Sequence, residues 1–595
     1  MSAPDGENGV FLFMDEDVLE NDSEEVYQFY KFENELMFLK NTIDFKNEIK
    51  RLEFLVKLDS LIEAWEGNPP DLRKIFGDGE VELLIFDYIP NRMKRRLSWE
   101  ESQAAARFIR FVIDAGYNNE PKLENDQVTS VRGTTPIHQA YEFGYYNVVE
   151  DLFEVYNRFD VTYIDDRGMT HFHIACNHGR IDIVSKFLEA PGRNIDCQSY
   201  TLTPLCLALQ QGHTRVVEEL LKKGANPNLE HPKKSTPLHF ICKKNKYTNL
   251  AEVFVELCDK FSKENPVRID KQDESDRTPL HWALQHSDAS TTTIEFLLKS
   301  GADPNSVDAE GSTPLHIICQ RQEYKDDKSA ELFFKIMDDR QQTVQIDAKD
   351  NSERTPLQWA VANFLPSVVK ILLDHCADLS NFCFPEESHL KEIVRGYDGK
   401  KFQMPMHKLI FASRTLETLH ILKLKGYQLE QDDAMKIMKV FAKFKMFEKS
   451  ADNVDPNWYD RDSAFAKKAK KIMFTGRLSL YSLIRSQYVQ DYAERLTYEN
   501  YTEFVRSSGW DELLLTRLWQ ICDVRLCERL LARFFQNWSL KPFMNLTQRR
   551  LPELCSEMVL EKLNDEDLFN ICFGASGQSP ELLTNEPVNS VNVVL

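Results

Sequence analysis

From residue 25 to about residue 125, apolar residues recur at helical spacing. The stretch ELMFLKNTIDFKNEIKRLEFLVKLDSLIEAW, from Glu35, predicts amphipathic helices. From residue 126 to 380 the pattern shortens to helix pairs. VVEELLKKGANPN from Val216 and IEFLLKSGADPN from Ile294 each finish on a glycine, Gly224 and Gly301, where left-handed backbone closes a helix without strain at Cβ. In LLDHCADLS, Cys376 stands in that glycine's place, which marks an edge of the array. MHKLIFASRTLETLHILKLKGYQLE, with Gly426 in the helix-ending position, predicts degenerate helical repeats over 381–450. The polar break SADNVDPNWYDRDS, from Ser450, then precedes a helical module at 464–573. The acidic stretch 1–24 and the Ser-, Asn-, Pro- and Gly-rich stretch 574–595 predict disordered tails. The expected class is all-α: a solenoid with an N-terminal helical cap at 25–125 and a C-terminal helical module.

The helix pairs belong to a sequence repeat. TPIHQA at Thr135, THFHIA at Thr170, TPLCLA at Thr203, TPLHFI at Thr236, TPLHWA at Thr278, TPLHII at Thr313 and TPLQWA at Thr355 recur 33 to 42 residues apart. A period of ~33 with T-P-L-H-x-A resembles the ankyrin repeat, over about seven repeats. Thr suits the cap and Pro the first helical position, where its missing N–H is not needed. VRIDKQDESDRTPLHWA from Val267 echoes VQIDAKDNSERTPLQWA from Val344, so a two-repeat unit is duplicated. Trp282 and Trp359 follow the motif in the two copies and are expected to stack inside. In ankyrin arrays the projecting turns touch partners. The turn residues Arg167, Tyr200, His231, Lys233 and Glu274 are therefore target-binding candidates.

Composition narrows the function. The 595 residues carry a formal charge of −21, which repels phosphate backbones and argues against a nucleic-acid partner. Lys467, Lys468, Lys470 and Lys471 form one local basic cluster, ordinary for a solvated helix face. The start of the chain lacks the basic, apolar pattern of a secretory signal, and no later run reaches a membrane span of ~20 apolar residues. Twelve scattered cysteines without a C-x-x-C pair fit reduced thiols. An intracellular location, cytoplasmic or nuclear, is expected, with no membrane partner.

No phosphate loop, zinc-protease motif or nucleophile elbow is present, so an enzyme, a cofactor and a metal are not expected. His138, His239, His281 and His316 recur in register, but repeats lie ~8–10 Å apart and zinc needs its donors within ~2.3 Å. Their expected role is to hydrogen-bond neighbouring turns. His171, His173 and Cys176 make the best local ligand cluster, yet they occupy the repeat's ordinary positions. A thioester-forming cysteine among Cys522, Cys527, Cys555 and Cys572 would have Arg525 and Arg529 as its only electropositive help.

Near the end, LPELCSEMVLEKLNDEDL places Pro552 at a helix start and repeats Cys555, Val559 and Leu563 at i, i+4 and i+8, with Met558 beside them. NDED then caps a second helix. The pattern fits either core or a docking helix. The stretch resembles the front half of an F-box. Leu551, Pro552, Val559, Leu560, Leu563, Asp567 and Leu568 match, while Leu554 replaces the usual Glu. A truncated F-box after an ankyrin array is similar to the PRANC domain of poxvirus and parasitoid-wasp ankyrin proteins. LTYENYTEFVRSSGWDELLLTRLWQICDVRLCERLLARFFQNW, from Leu496, resembles the wasp versions in its order of motifs. The resemblance implies a substrate receptor. Leu551, Pro552, Val559, Leu563 and Leu568 would contact the Skp adaptor of a cullin–RING ubiquitin ligase, and the repeats would hold a target for ubiquitination. The alternative is an ankyrin scaffold or decoy that sequesters a signalling protein, as in an NF-κB-like pathway, without a ligase.

Overall fold

The computed structural model describes residues 24–77, 79–89, 99–121, 130–199, 202–231, 233–244, 247, 249–285, 291–321, 328–386, 388–390, 408–444, 446, 458–485, 496–516 and 518–576. The expected tails at 1–24 and 574–595 lie almost wholly outside them, as do Tyr200 and most of the polar break. The chain falls into two compact units, Met1–Arg268 and Ile269–Leu595.

In the first unit, helices Glu24–Asn41, Glu48–Glu63, Leu72–Ile75, Glu80–Tyr88 and Trp99–Asp114 precede the repeats. Asn47 starts the second of these by accepting the amides of Ile49 and Lys50. Leu36, Leu58, Leu84, Ile85, Ile109 and Val112 fill their core. Arg51 on Asp87 and Arg107 on Asp59 pin them at the rim. Asn119 donates its backbone N–H to the Val155 carbonyl at 2.9 Å, and Gln139 reaches the Ile89 carbonyl, so these helices seat on the first repeat.

Most of the repeat motifs build the same device. Thr135, Thr170, Thr313 and Thr355 cap helices beginning at the next residue, with His138, His173, His316 and Gln358 completing reciprocal capping boxes. The histidine Nδ1 accepts the threonine N–H at 3.1–3.2 Å. Its Nε2 therefore carries the proton and donates to a carbonyl of the following turn: His138 to Met169 at 2.9 Å, His173 to Cys197 at 3.1 Å, His281 to Ser312 at 3.1 Å and His316 to Arg354 at 3.0 Å. One ring thus closes a helix start and ties it to its neighbour. Gln358 does the same work, accepting from Thr355 N–H at 3.0 Å and donating to the Cys383 carbonyl at 3.2 Å.

Burial makes these rings hard to protonate. It pushes His173 and His281 down to about 4 and lowers His138, His171 and His316. A histidine depressed in the folded state stabilises fully above the unfolded value of ~6.5, and the stabilisation is lost as pH falls toward 4. Between those limits the loss approaches ~1.4 kcal/mol per pH unit for each of His173 and His281. Asp523 and Asp565 act in the opposite sense in the second unit, because burial raises their carboxyls to about 6 and about 7. Thermal unfolding at pH 7.5 and pH 5 is expected to show a lower Tm at pH 5, and His173→Gln should reduce that drop.

The turns between helix pairs are hairpins, and an aspartate shapes four of them. Asp165 Oδ1 accepts the amides of Arg167 and Met169; Asp273, Asp308 and Asp350 repeat the pattern two and four residues on. Adjacent hairpin arms satisfy one another's backbone groups. Ser130–Arg132 pairs with Thr162–Ile164 as a parallel ladder. The chain is mostly helical, but this sheet and the antiparallel pair Met473–Thr475 with Leu478–Ser479 depart from an all-α expectation.

Cys376 takes φ +67° where Gly224 and Gly301 sit at +93° and +95°. A side chain there is strained. Cys376→Gly should leave the fold intact and raise stability by up to ~1 kcal/mol, read as a small increase in Tm.

After the repeats, Lys408–Leu424 and Gln431–Lys443 form a helix pair. Asp523, from the 28-residue helix Trp519–Leu546, accepts the amides of Lys408 and Leu409 at 2.9 and 3.1 Å. The chain then turns into Glu553–Leu560 and Asp565–Ala575.

Candidate protein-interaction surfaces

The hairpins project a left-handed residue at each tip. Gly168 and Gly311 hold it in two repeats, with φ +75° and +74°, whereas Lys234, Asp276 and Glu353 hold it in others, with φ +53°, +54° and +59°. Charged side chains thus occupy positions where glycine is unstrained. Arg167 is exposed beside such a tip and pairs with Glu142. Lys233 and Glu274 are also exposed. His231 is not a surface residue. It replaces the aspartate at a hairpin base, where its N–H bonds the Ser235 carbonyl at 3.0 Å. Its ring is buried 3.0 Å from Cys206 Sγ and edge-on to Phe240. The sequence located the turn but not which end of the hairpin faces inward. Arg167 and Lys233 belong to the first unit and Glu274 to the second.

The tryptophans are half-buried rather than stacked inside. Trp282 Nε1 donates to Asp273 Oδ2 at 2.9 Å and Trp359 Nε1 to Asp350 Oδ2 at 2.8 Å. Arg277 lies 5.2 Å from the Trp282 ring centre and Arg354 3.9 Å from that of Trp359. Both copies of the duplicated unit therefore lock the hairpin onto the first helix by an Asp–Trp–Arg set, which buries the indole's polar edge and leaves part of its face in solvent.

At the C-terminal end, Glu553–Leu560 is anchored by Ser556 and Leu560, both buried. Its other side stands in solvent: Leu551 is 37% exposed, Leu554 68%, Met558 60% and Val559 40%, with Cys555 and Pro552 also exposed. Leu563 lies beyond the helix in the turn and is partly covered. Leu568 faces the other way. It is 1% exposed, and its carbonyl accepts from Ser539 Oγ at 3.1 Å, so Asp565–Ala575 is the support that packs on the long helix and not part of the open face. Leu554 and Met558 contribute most to that face. The substitution of Leu for the usual Glu at position 554 was the available signal.

Among the described residues, no group of three or more His, Cys, Asp or Glu is placed to hold a metal. His171 stacks on Tyr163 and bonds Thr135, and His173 caps its own helix. Burial raises the thiols of Cys176, Cys522, Cys527 and Cys572, the reverse of an activated nucleophile. Arg525 pairs with Glu528, and Arg529 donates to the Leu483 and Ile484 carbonyls. In the basic cluster, Lys468 donates to the Glu512 carbonyl and Lys470 covers the Tyr481 ring. Among the described residues, no helix is long and apolar enough to cross a membrane.

The family described as ankyrin repeats (3 copies) matches residues 137–231, 205–308 and 286–382, where these capped helix pairs lie. Residues 137–382 are ankyrin repeats. Human inversin is 27% identical over 212 residues, 36% of this chain and 19% of inversin. The phosphocholine transferase AnkX of Legionella pneumophila is 31% identical over 152 residues, 25% of this chain and 15% of AnkX. The palmitoyltransferase AKR1 of Kluyveromyces lactis is 34% identical over 141 residues, 23% of this chain and 18% of the transferase. The chain thus spans less than a fifth of these relatives' lengths. The crystal structure of the ankyrin repeat domain of Bcl-3 is 22% identical, with a TM-score of 0.31, over 39% of this chain and 100% of that domain. The ankyrin repeats give the chain a protein-binding role.

Proposed function

We propose that this chain is a non-catalytic adaptor. Its repeats hold a target protein, and its C-terminal helix recruits the Skp adaptor of a cullin–RING ubiquitin ligase. The observation that carries the reading is the open row Leu554, Met558 and Val559 on a helix held from behind by Ser556 and Leu560, with Leu551 exposed just before it. An apolar row at i, i+4 and i+5 fits a helical groove, and it lies within the stretch that resembles an F-box. The helix then serves to tether; ubiquitin transfer to the target follows from raised effective concentration. The enzymatic names of two relatives describe proteins of which the matched part is less than a fifth, so no transferase activity is carried over.

The experiment is reconstitution. Purified chain, the Skp adaptor and a cullin–RING core should form one complex by size-exclusion chromatography. A chain that captures its target yet leaves the adaptor unbound is a sequestering scaffold instead. On the target side, the exposed tips Arg167, Lys233 and Glu274 are the contacts to change. In the first unit, the Arg167→Ala, Lys233→Ala double variant should weaken target capture at least tenfold without lowering Tm, Glu274→Ala tests the second unit separately, and unchanged capture in both would move the target site elsewhere.

A further inference from the structure

Two touching helices at the start of the first unit each carry a second apolar face. On Glu24–Asn41, Phe32 and Leu36 are buried, while Tyr27, Tyr30, Met37 and Phe38 stand in solvent. On Glu48–Glu63, Phe54, Leu55, Leu58 and Ile62 are buried, while Ile49, Leu52 and Val56 point the opposite way. These seven side chains are between 36% and 71% exposed.

Their spacing is that of a helix–helix seam. Tyr27, Tyr30, Asn34 and Met37 follow one another by three, four and three residues, and Ile49, Leu52 and Val56 by three and four. A scatter of single exposed residues would need no explanation, but an apolar row on the solvent side of each of two touching helices does.

We infer that these stripes form an interface with a second copy of this chain. Three observations favour a copy over other occupants. The total exposed surface of the seven residues is on the order of 800 Å², comparable to the share per partner of a standard stable interface. The exposed charges alongside are mixed, with Lys31, Lys46, Lys50 and Lys57 beside Glu35, Asp44, Glu48 and Glu53. On a chain of net charge −21, this is a region where two copies meet without like-charge repulsion. A two-fold axis across the seam sets one copy's lysines against the other's glutamates. Finally, the occupant of such a seam is itself a seam: two helices from each copy make a four-helix arrangement, and Asn34 is the single polar seam position that fixes register.

The test uses the full chain. Sedimentation velocity from about 0.5 to 50 μM should show a monomer–dimer equilibrium. Phe38→Glu with Val56→Glu places two charges of one sign in the seam and should weaken dimerisation at least tenfold. Both residues are about 70% exposed, so circular dichroism and Tm should match the parent. Independently, Val56→Cys under mild oxidation should give a covalent dimer well above the parent's background. A full chain that stays monomeric throughout overturns the inference. So does a folded double variant that dimerises as the parent does, or a Val56→Cys chain that dimerises without cross-linking above background.

Discussion

Replacing Leu554 and Met558 together by aspartate should abolish Skp-adaptor binding while leaving the protein as stable as the parent. The two side chains are 68% and 60% exposed, so neither contributes much to the folded core. Surface substitutions of this kind usually change stability by less than ~0.5 kcal/mol. In a complex each would be buried, and burying a side chain of that size is worth about 1.5–3 kcal/mol. Losing both amounts to at least ~3 kcal/mol, or more than ~100-fold in Kd. The burial of a carboxylate adds to the penalty. Isothermal titration with purified adaptor reads the affinity, thermal unfolding reads the control, and target capture by the repeats should persist. A folded double variant that binds the adaptor at parental strength would sink the docking proposal. Leu568→Asp is not an equivalent test. That residue is buried, so its replacement should unfold the helix pair and report on packing alone.

The second large effect belongs to the histidine ties. His316 is fully buried; it accepts from Thr313 N–H at 3.1 Å and donates to the Arg354 carbonyl at 3.0 Å. His316→Ala removes both bonds, strands the buried Thr313 N–H and the part-buried Arg354 carbonyl, and opens a cavity. The expected cost is ~2–4 kcal/mol. His316→Gln should cost less than ~1.5 kcal/mol, because Gln358 makes the equivalent pair of bonds in the next repeat. Denaturant unfolding of the three proteins gives the comparison. If alanine and glutamine are equally harmful, the ring's volume matters and its bonds do not. If alanine is harmless, the tie is redundant.

Much of the array was legible because its signals are local. Thr, Pro and His at fixed offsets satisfy the first amides of a helix within four residues, and Gly224 and Gly301 end helices by their own backbone freedom. The hairpin aspartates were legible too, as Asp–x₄–Thr–Pro in Asp273, Asp308 and Asp350, although the sequence reading gave them no role. The C-terminal helix start at Pro552 and the cap at Asn564 also follow from short-range chemistry.

What the sequence left open concerned which side of an element meets a neighbour. The stripe Cys555, Val559 and Leu563 was compatible with core. Packing decided against it by burying Ser556 and Leu560 and ending the helix before Leu563. His231 sits in a turn, yet its hairpin position turns the ring inward to Cys206. Trp282 and Trp359 were expected inside, but aspartates nine residues earlier hold their indoles at the rim. The sequence by itself determined where helices begin and end, since those choices rest on hydrogen bonds within a turn. Only the tertiary structure decided which apolar faces stay open, because burial depends on residues distant in the chain filling the same space.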